Sequence, residues 1–287
     1  MGLPERAGRT DLRGLVAPQP GRQSVTAAKF IFTLLKGAQE IRGVTWRHLD
    51  LGGADLRHLR FVDCRLEDCV FDDSDCRDWR LWDTRVARCS FRRADLRGSA
   101  LGAVEGKKRN AWEDVDFTEA DLRETYYGSG DIVRCRYKDA KLTKVDFEGM
   151  VFKDCTFEGE LEEVTFNRYD FGGEAFPPNL MDGVDFRRAR FHWVTFRGLD
   201  LENLQFPEDD EHIIIDDYRT SLERILAALQ GRRDDVSRQL AAVLGDRRKR
   251  AGPSQRRGII GKGDLRVMGG EAAVTYFSEL LRAARNP

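Results

Sequence analysis

The sequence predicts an all-β solenoid, a rod of stacked coils, followed by a C-terminal α-helical extension. Two observations lead to this prediction. Apolar residues recur at every fifth position through residues 41–206, and beyond Phe206 the apolar spacing becomes helical. Because a helix repeats roughly every 3.6 residues and a strand every two, a period of five fits neither. The remaining solution is a coil in which each five-residue unit forms one side and turns a corner.

The repeat is long and has two changes of step. Its first run extends from Leu51 to Leu101, and a mostly small residue precedes each apolar residue by two positions. The next run begins at Trp112, after eleven residues, and a four-residue step leads from Phe157 to Leu161. The intervening positions are mostly Asp, Arg and Glu. A fixed period of this kind is the sequence signature of a repeat architecture.

Three units carry a more specific motif, namely ADLRH at 54–58, ADLRG at 94–98 and ADLRE at 120–124. They resemble the A(D/N)LXX motif of pentapeptide-repeat proteins, and the resemblance covers most of residues 41–206. It implies a right-handed quadrilateral β-helix with four units per coil. The central apolar residue and the small residue two before it then point inward, and the other three face solvent. About eight coils, each about 4.8 Å thick, give a rod about 40 Å long.

Four units per coil also predict which residues stack, because positions twenty apart fall on the same face. Aromatic rings suit such columns, since ring pairs at this spacing gain energy beyond area burial. The predicted stacks are Phe71 on Phe91, the column Leu56–Cys76–Leu96, the ladder Phe166–Phe186–Phe206, Phe171 on Phe191, and Phe176 on Phe196.

The repeat divides the chain into three parts: residues 1–40, 41–206 and 207–287. Residues 1–23 are rich in Gly, Pro and Arg, so we expect them to be flexible. The apolar stretch within Ser24–Gln39 is expected to cap the first coil. An uncovered solenoid end would otherwise pair with other chains.

The C-terminal part is predicted to be mainly helical. Asp216 or Asp217 is expected to cap a first helix that ends at Gly231. A second helix is expected to run from near Asp234 to Gly245.

A basic Pro/Gly linker is predicted over 246–258, then a strand or hairpin over Ile259–Val267 and a last helix over Glu271–Arg285. The apolar stripes of the helices are expected to form either a core with the rest of the chain or a dimer interface. The resemblance implies a homodimer, because several pentapeptide-repeat proteins dimerise through a C-terminal helical element. The candidate interface residues are Leu222, Ile225, Leu226, Leu229, Leu240, Val243, Leu244, Phe277 and Leu281.

Charge is segregated along the chain. The formal charge is +3 over residues 1–40, −10 over 41–211 and +6 over 212–287, so the total of −1 conceals an acidic rod and a basic tail. There is no apolar run of about eighteen residues, the length that a membrane-spanning helix needs. The N-terminus lacks the long apolar stretch of a secretory signal. We therefore expect a cytoplasmic protein.

The sequence predicts no catalytic, cofactor-binding or metal-binding residues. The four histidines lie outside the predicted core without a nucleophile or carboxylate that spacing would place beside them, and no phosphate-loop or zinc motif is present. No CxxC spacing occurs, and free cysteine behaves as a small buried hydrophobe. Cys76 takes a central inward position, and the small inward position is taken by Cys64, Cys69, Cys89, Cys135 and Cys155.

Two binding hypotheses remain open. In the first, the acidic rod mimics duplex DNA, binds DNA gyrase or another type II topoisomerase and protects the enzyme from poisons, as an antibiotic-resistance protein does. The resemblance implies this role. Complementary charge would speed association, and exposed carboxylates would stand in for phosphates. The candidate partner-binding residues are Lys107, Lys108, Arg109, Asp63, Asp68, Asp72, Asp73, Asp114, Asp116, Glu162 and Glu163.

In the second hypothesis, the rod is a dimeric scaffold for another protein and has no topoisomerase role. A continuous negative stripe along one face favours mimicry, whereas mixed patches favour the scaffold. The segment Gly102–Asn110 is either a tolerated insertion or a partner-contact loop, since loops on rigid scaffolds often carry function. Direct nucleic-acid binding by the basic linker is not favoured, because the linker has no interleaved aromatic residue.

Overall fold

Four parallel faces, repeated coil after coil, make up most of the molecule in a computed structural model. Consecutive apolar residues of the repeat lie on successive faces, which we number 1 to 4 in chain order starting from Ile41. Adjacent coils pair in register, as in Arg60 with Arg80 on face 1 and Arg65 with Arg85 on face 2. This pairing confirms the predicted β-helical solenoid. The structure describes residues 5–6, 8–15, 40–103, 108–169, 177–252 and 255–285.

Faces 1 and 2 are regular parallel sheets of short strands. The strands of face 1 are Glu40–Arg42, Arg60–Val62, Arg80–Trp82, Ala100–Ala103, Tyr126–Tyr127, Asp146–Phe147, Thr165–Asn167 and Thr195–Arg197. The strands of face 2 are Thr45–Arg47, Arg65–Glu67, Arg85–Ala87, Asn110–Glu113, Gly130–Val133 and Met150–Lys153.

Faces 3 and 4 are held mostly by single bridges, such as Val70 with Ser90 on face 3 and Asp75 with Asp95 on face 4. Towards the C-terminal end, two longer strands run from face 3 onto face 4. The strands of these faces are Leu49–Asp50, Arg136–Lys138, Thr156–Glu162 and Asp185–His192.

The corners of the rod explain why Asp is frequent in the sequence. Successive corner residues Asp63, Asp68, Asp73, Asp78 and Asp83 all have a positive φ, between 49° and 59°. Asp and Asn are enriched in this left-handed region compared with other residues that carry a Cβ. Each corner therefore needs a residue that tolerates a positive φ, and Asp fills this position repeatedly, although Arg88, Glu119 and Lys144 fill it elsewhere.

The core is a column of apolar and aromatic side chains. Phe71 stacks on Phe91 with ring centroids 4.6 Å apart, and Leu56, Cys76 and Leu96 are fully buried on one face, so these two predictions are confirmed. All six cysteines are buried and free.

The predicted stacks near the C-terminal end need correction. Phe166 does not lie on Phe186 but stacks on Phe147 at 5.2 Å and on Phe196 at 5.4 Å. The reason is an insertion: Phe166 and Met181 occupy consecutive faces, so neighbouring coils here are about thirty residues apart instead of twenty.

The same insertion changes the partners of the other predicted stacks. Phe191 pairs with Leu161, and Phe171 and Phe176 lie outside the described residues. Pairing of Asp185 with Gln205 does keep Phe206 in register with the residue after Asp185, as predicted.

The N-terminal residues 9–15, which we expected to be flexible, extend the rod instead. Strand Arg9–Asp11 pairs in parallel with Leu49–Asp50, and in antiparallel with Glu5–Arg6. Leu12 and Leu15 are buried in the rod core. The signal was present in the sequence, because TDLRG at 10–14 differs from the ADLRG motif only at its first residue. The cap predicted within Ser24–Gln39 lies outside the described residues.

Three helices form the C-terminal module: α1 (Tyr218–Leu229), α2 (Asp235–Arg250) and α3 (Lys262–Arg285), with a kink at Gly269–Gly270. Strand His212–Ile215 pairs antiparallel with Gly258–Gly261. Within the described part of the chain, no helix is long and apolar enough to cross a membrane.

The starts of the first two helices match the expectation, although Asp217 makes no side-chain capping hydrogen bond at the start of α1. Two other boundaries differ. Gly245 does not end α2, which continues to Arg250, so residues 246–250 of the predicted linker are helical. Basic residues in a last helical turn interact favourably with the helix dipole. The strand predicted over Ile259–Val267 ends at Gly261. Helix α3 begins at the next residue, because Leu265 and Met268 form an apolar helical stripe that packs in the module core.

The module packs on the last coil and covers it. The backbone N–H of Gly198 donates to the carbonyl of Arg250 at 3.1 Å, and the Trp193 N–H donates to Asp264 Oδ1 at 2.9 Å. The Asp264 carboxylate is 3% exposed and forms an ion pair with Arg247 at 3.0 Å. Burial raises the pKa of the Asp264 carboxyl. The ion pair with Arg247 and the hydrogen bond from Trp193 act in the opposite direction and stabilise its ionised form.

Replacing Arg247 with Met tests this junction. We expect the free energy of unfolding at pH 7 to fall by about 3–5 kcal/mol, because the buried Asp264 carboxylate loses its partner. A carboxyl whose folded pKa is raised favours folding at low pH and loses that contribution as pH rises. The loss should therefore shrink at pH 4, as protonation neutralises Asp264. Urea unfolding at both pH values measures it, and an equal loss at both would contradict this account.

Candidate partner-binding surface

Both insertions interrupt the repeat at the same corner of the rod, between faces 1 and 2. The first begins after Leu101 and the chain returns at Trp112; the second begins after Phe166 and the chain returns at Met181. Three coils separate the two sites along face 1, which corresponds to about 14 Å. Residues 104–107 and 170–176 fall outside the described residues.

Each insertion ends in a buried asparagine that restores the coil. Asn110 Oδ1 accepts from the Thr84 N–H at 2.9 Å, and Asn110 Nδ2 donates to the Leu81 carbonyl at 3.2 Å. Asn179 Oδ1 likewise accepts from the Phe152 N–H at 3.1 Å. Each asparagine thus occupies the position of the small inward residue of an ordinary unit. Its side-chain amide hydrogen-bonds to backbone groups of the preceding coil. Neither asparagine was singled out from the sequence, although each precedes an inward apolar residue by two positions.

Arg109 anchors the first insertion. Its guanidinium donates to the carbonyls of Gly130 at 2.6 Å and Gly149 at 3.2 Å, and contacts Asp131 at 3.1 Å. The side chain is only 12% exposed. The structure therefore gives Arg109 a positioning role, whereas the predicted contact residue Lys108 is 68% exposed and forms an ion pair with a corner carboxylate. Lys107 lies outside the described residues.

Large apolar side chains are exposed around this corner. Among the described residues, four large hydrophobic side chains are exposed, and three of them belong here: Tyr126 (41%), Tyr169 (40%) and Leu180 (59%). The Tyr126 hydroxyl donates to Glu148 at 3.0 Å. We define the loop corner as Lys108, Tyr126, Glu148, Tyr169 and Leu180. Exposed aromatic side chains of this kind are enriched at the energetic centres of protein interfaces.

The predicted partner-binding carboxylates are not brought together at one place, and most are already used within the rod. Glu162 accepts from the Thr143 hydroxyl at 3.0 Å, Asp72 accepts from the Arg92 N–H at 3.0 Å, and Glu163 is a corner residue with positive φ. The other five form ion pairs: Asp63–Lys108 (2.6 Å), Asp68–Arg88 (2.8 Å), Asp73–Arg93 (2.7 Å), Asp114–Arg134 (2.6 Å) and Asp116–Arg92 (3.2 Å).

Arginine neutralises this part of the surface. The guanidinium of Arg88 hydrogen-bonds to Asp68, and that of Arg134 to Asp114, so the pKa of each carboxyl lies below its usual range. Face 4 repeats the arrangement in a ladder of four Asp-x-Arg rungs. In the first rung Arg57 binds Asp55 at 2.8 Å and lies 3.4 Å from Asp75 of the next coil. The surface of these coils is therefore mixed in charge.

Net negative charge is concentrated elsewhere. Residues 41–136 hold 18 basic and 19 acidic residues, a net charge of −1. Residues 137–211 hold 9 basic and 18 acidic residues, a net charge of −9. Sequence reasoning selected most of its candidate carboxylates from the balanced half, because Asp is frequent there for reasons of corner geometry.

The predicted dimer or tail residues lie mainly inside the C-terminal module. Leu226 and Val243 are partly buried against the module core. The others are at most 4% exposed: Leu222, Ile225, Leu229, Leu240, Leu244, Phe277 and Leu281. Of the two alternatives drawn from the sequence, the structure places these side chains in the packing of the tail, and a homodimer through the helices stays a prediction.

The asparagine anchors give a testable prediction. We expect Asn110→Ala and Asn179→Ala each to lower the free energy of unfolding by about 1–3 kcal/mol, because buried backbone groups lose their partners. Urea unfolding measures the loss. Asn203→Ala at an exposed position is the matched control and should change stability little. Equal effects at all three positions would remove the anchoring role.

Comparison with known proteins found no matching family model and no matching curated protein. Solved structures of pentapeptide-repeat proteins do match. Rfr23 from the cyanobacterium Cyanothece 51142 is 10% identical, with a TM-score of 0.38, over 44% of this chain and 94% of that one. HetL from Nostoc sp. strain PCC 7120, involved in heterocyst differentiation regulation, is 16% identical, with a TM-score of 0.32, over 70% and 86% of the two chains.

A third match is QnrB1, a plasmid-mediated fluoroquinolone resistance protein, which is 13% identical with a TM-score of 0.33 over 65% of this chain and 91% of that one. At these identities and scores, the matches say nothing about function. The fold itself rests on this chain's own repeat, its four-faced coils and its in-register pairing. On those grounds the chain has the four-faced β-helical fold that its five-residue repeat predicts.

Proposed function

We propose that this protein is a non-catalytic protein-binding rod whose partner engages the loop corner. One observation carries the proposal: two insertions interrupt the repeat at one corner of the rod, about 14 Å apart, near three of the four large apolar side chains exposed in the described residues. Scattered exposed apolar residues need no explanation, but a group of them marks an interaction surface.

The construction of the corner supports this role. Asn110, Asn179 and Arg109 fix the ends of both insertions to backbone groups of neighbouring coils. Gly128 allows the chain to approach closely, because a Cβ there would lie 1.9 Å from the carbonyl oxygen of Gly102. A rigid scaffold that holds the ends of a binding segment in fixed positions reduces the ordering cost of binding.

A double substitution, Tyr126→Ser with Tyr169→Ser, tests the corner. We expect binding to the partner to weaken at least about tenfold, because truncating central aromatic residues commonly costs 2 kcal/mol or more. Partners captured from the source cell by the parent protein supply the probe, and quantitative pull-down measures retention. Val267→Ser is the control, since Val267 is exposed on the C-terminal module, far from the corner in sequence. Unchanged capture by the double variant would contradict the proposal.

A second candidate is a type II topoisomerase such as gyrase, bound through mimicry of DNA, which would make this a cytoplasmic resistance protein. The net charge of −9 over residues 137–211 favours it, because that half of the rod retains uncompensated carboxylates. The mixed charge of the first half does not favour it.

Titration of gyrase in a supercoiling assay tests this candidate. We expect inhibition, or rescue from a fluoroquinolone, that weakens when the salt concentration is raised from about 50 to about 200 mM, because charge attraction is screened. An absence of effect at large excess over gyrase, or an effect that ignores salt, counts against mimicry and leaves the scaffold function.

A further inference from the structure

Face 2 changes character over the last three coils of the rod. The central residues Phe152, Met181 and Leu201 continue one column, since Lys153 pairs with Asp182 and Leu201 follows Met181 by four repeat units. We define the acidic end surface by the outward side chains of this column and the start of α1: Asp154, Leu180, Asp182, Asp200, Glu202 and Asp217.

Carboxylates on the earlier coils of face 2 are compensated. Arg47 binds Glu67 at 2.8 Å, and Arg85 binds Glu113. At the acidic end surface, Asp154, Asp182, Asp200 and Asp217 have no ion pair within the described part of the chain. Glu202 reaches Arg256 only at 3.5 Å, and both side chains are largely exposed. The same face of the same rod therefore passes from paired to unpaired charge.

A groove at the end of this surface adds a separate observation. It lies between the last coil and the start of α1, and is lined by Asp200, Glu202, Asp217, Arg219, Gln255 and Arg256. Gln255 is 4% exposed; its Nε2 donates to the Arg257 carbonyl, but its Oε1 has no donor among the residues that the structure describes. A buried acceptor without a donor is costly, and a donor that enters the groove reaches this oxygen once the Gln255 side chain moves outward.

We propose that the acidic end surface docks a segment of a protein partner that carries Lys or Arg side chains beside an apolar residue. This inference rests on the proposed protein-binding function and names the chemistry of the partner. Ammonium and guanidinium groups only donate hydrogen bonds, which suits the exposed carboxylates and, once its side chain moves outward, the Gln255 oxygen. Leu180, 59% exposed beside Asp182, supplies the apolar contact. The nearby cations Lys153, Arg219 and Arg256 are fewer than the five carboxylates.

A defined peptide tests the surface without knowledge of the natural partner. The probe is a fluorescein-labelled nonapeptide of alternating Lys and Leu, and its control replaces each Lys with Glu. Fluorescence anisotropy at two salt concentrations gives Kd for the full-length protein and for two double variants. Asp154→Asn with Asp182→Asn removes two unpaired carboxylates, whereas Asp68→Asn with Asp114→Asn removes two paired ones and changes net charge equally.

We expect the basic peptide to bind the parent protein, and the first double variant to raise Kd at least about fivefold while the second changes it less than about twofold. Equal weakening by both variants would show a general charge effect and overturn the proposal. Absence of binding, or equal binding of the acidic peptide, would also overturn it. Tyr126→Ser with Tyr169→Ser should leave peptide binding intact, so failure here is distinguishable from failure of the loop corner.

Discussion

Every part of this molecule depends on closing each coil in register with the next. Backbone pairing between neighbouring coils fixes the residues that stack, as in the pairing of Arg65 with Arg85. Inward apolar residues then pack on their equivalents, and outward residues line up in columns. The same constraint sets the corner geometry, which demands a residue tolerant of positive φ every five positions. Much of the aspartate in the sequence therefore reflects backbone geometry, and its charge is a by-product that the rod must manage.

The charge is managed by placing arginine in the adjacent column or coil. Like charges stacked about 4.8 Å apart repel, and an arginine between two aspartates, as Arg57 is between Asp55 and Asp75, removes the repulsion. This arrangement holds in the first half of the rod and is incomplete in the second, where Arg187 still pairs with Asp185 but Asp154 and Asp182 have no ion pair among the described residues. Surface function is thus more readily attributed to the places where the ion-pair pattern stops than to the places where acidic residues are most numerous.

The repeat itself allowed the β-helix, the stacking of Phe71 on Phe91 and the burial of the cysteines to be predicted, because a strict period translates directly into position in the coil. Prediction failed where the period was kept but the connectivity changed. Phe171 and Phe176 are in phase with their neighbours, so the five-residue step alone does not reveal that the coil runs from Phe166 to Met181. The end of α2 was predicted wrongly for a different reason. The local composition of residues 246–250 is typical of a linker, but the ion pair between Arg247 and Asp264, which are distant in sequence, helps to stabilise this last helical turn.

The loop corner was predictable only in part. The first insertion is visible in the sequence as a change of step. That both insertions lie at the same corner follows only once each residue has been assigned to its face of the coil. Tyr126 and Leu180 occupy outward positions that the repeat leaves unspecified, so their importance follows only from their place in three dimensions.

The packing of the C-terminal module on the last coil has a consequence for synthesis. Coils can stack as the chain leaves the ribosome, since each one needs only its predecessor. The residues that cover the last coil, Arg250 and Asp264, come some fifty to seventy residues after the backbone groups they meet, at Gly198 and Trp193. Until they emerge, the growing rod ends in an open strand edge. On a polysome, that edge faces neighbouring nascent chains with the same exposed end, and the speed with which the module is completed decides whether the edge is sealed by its own chain or by another.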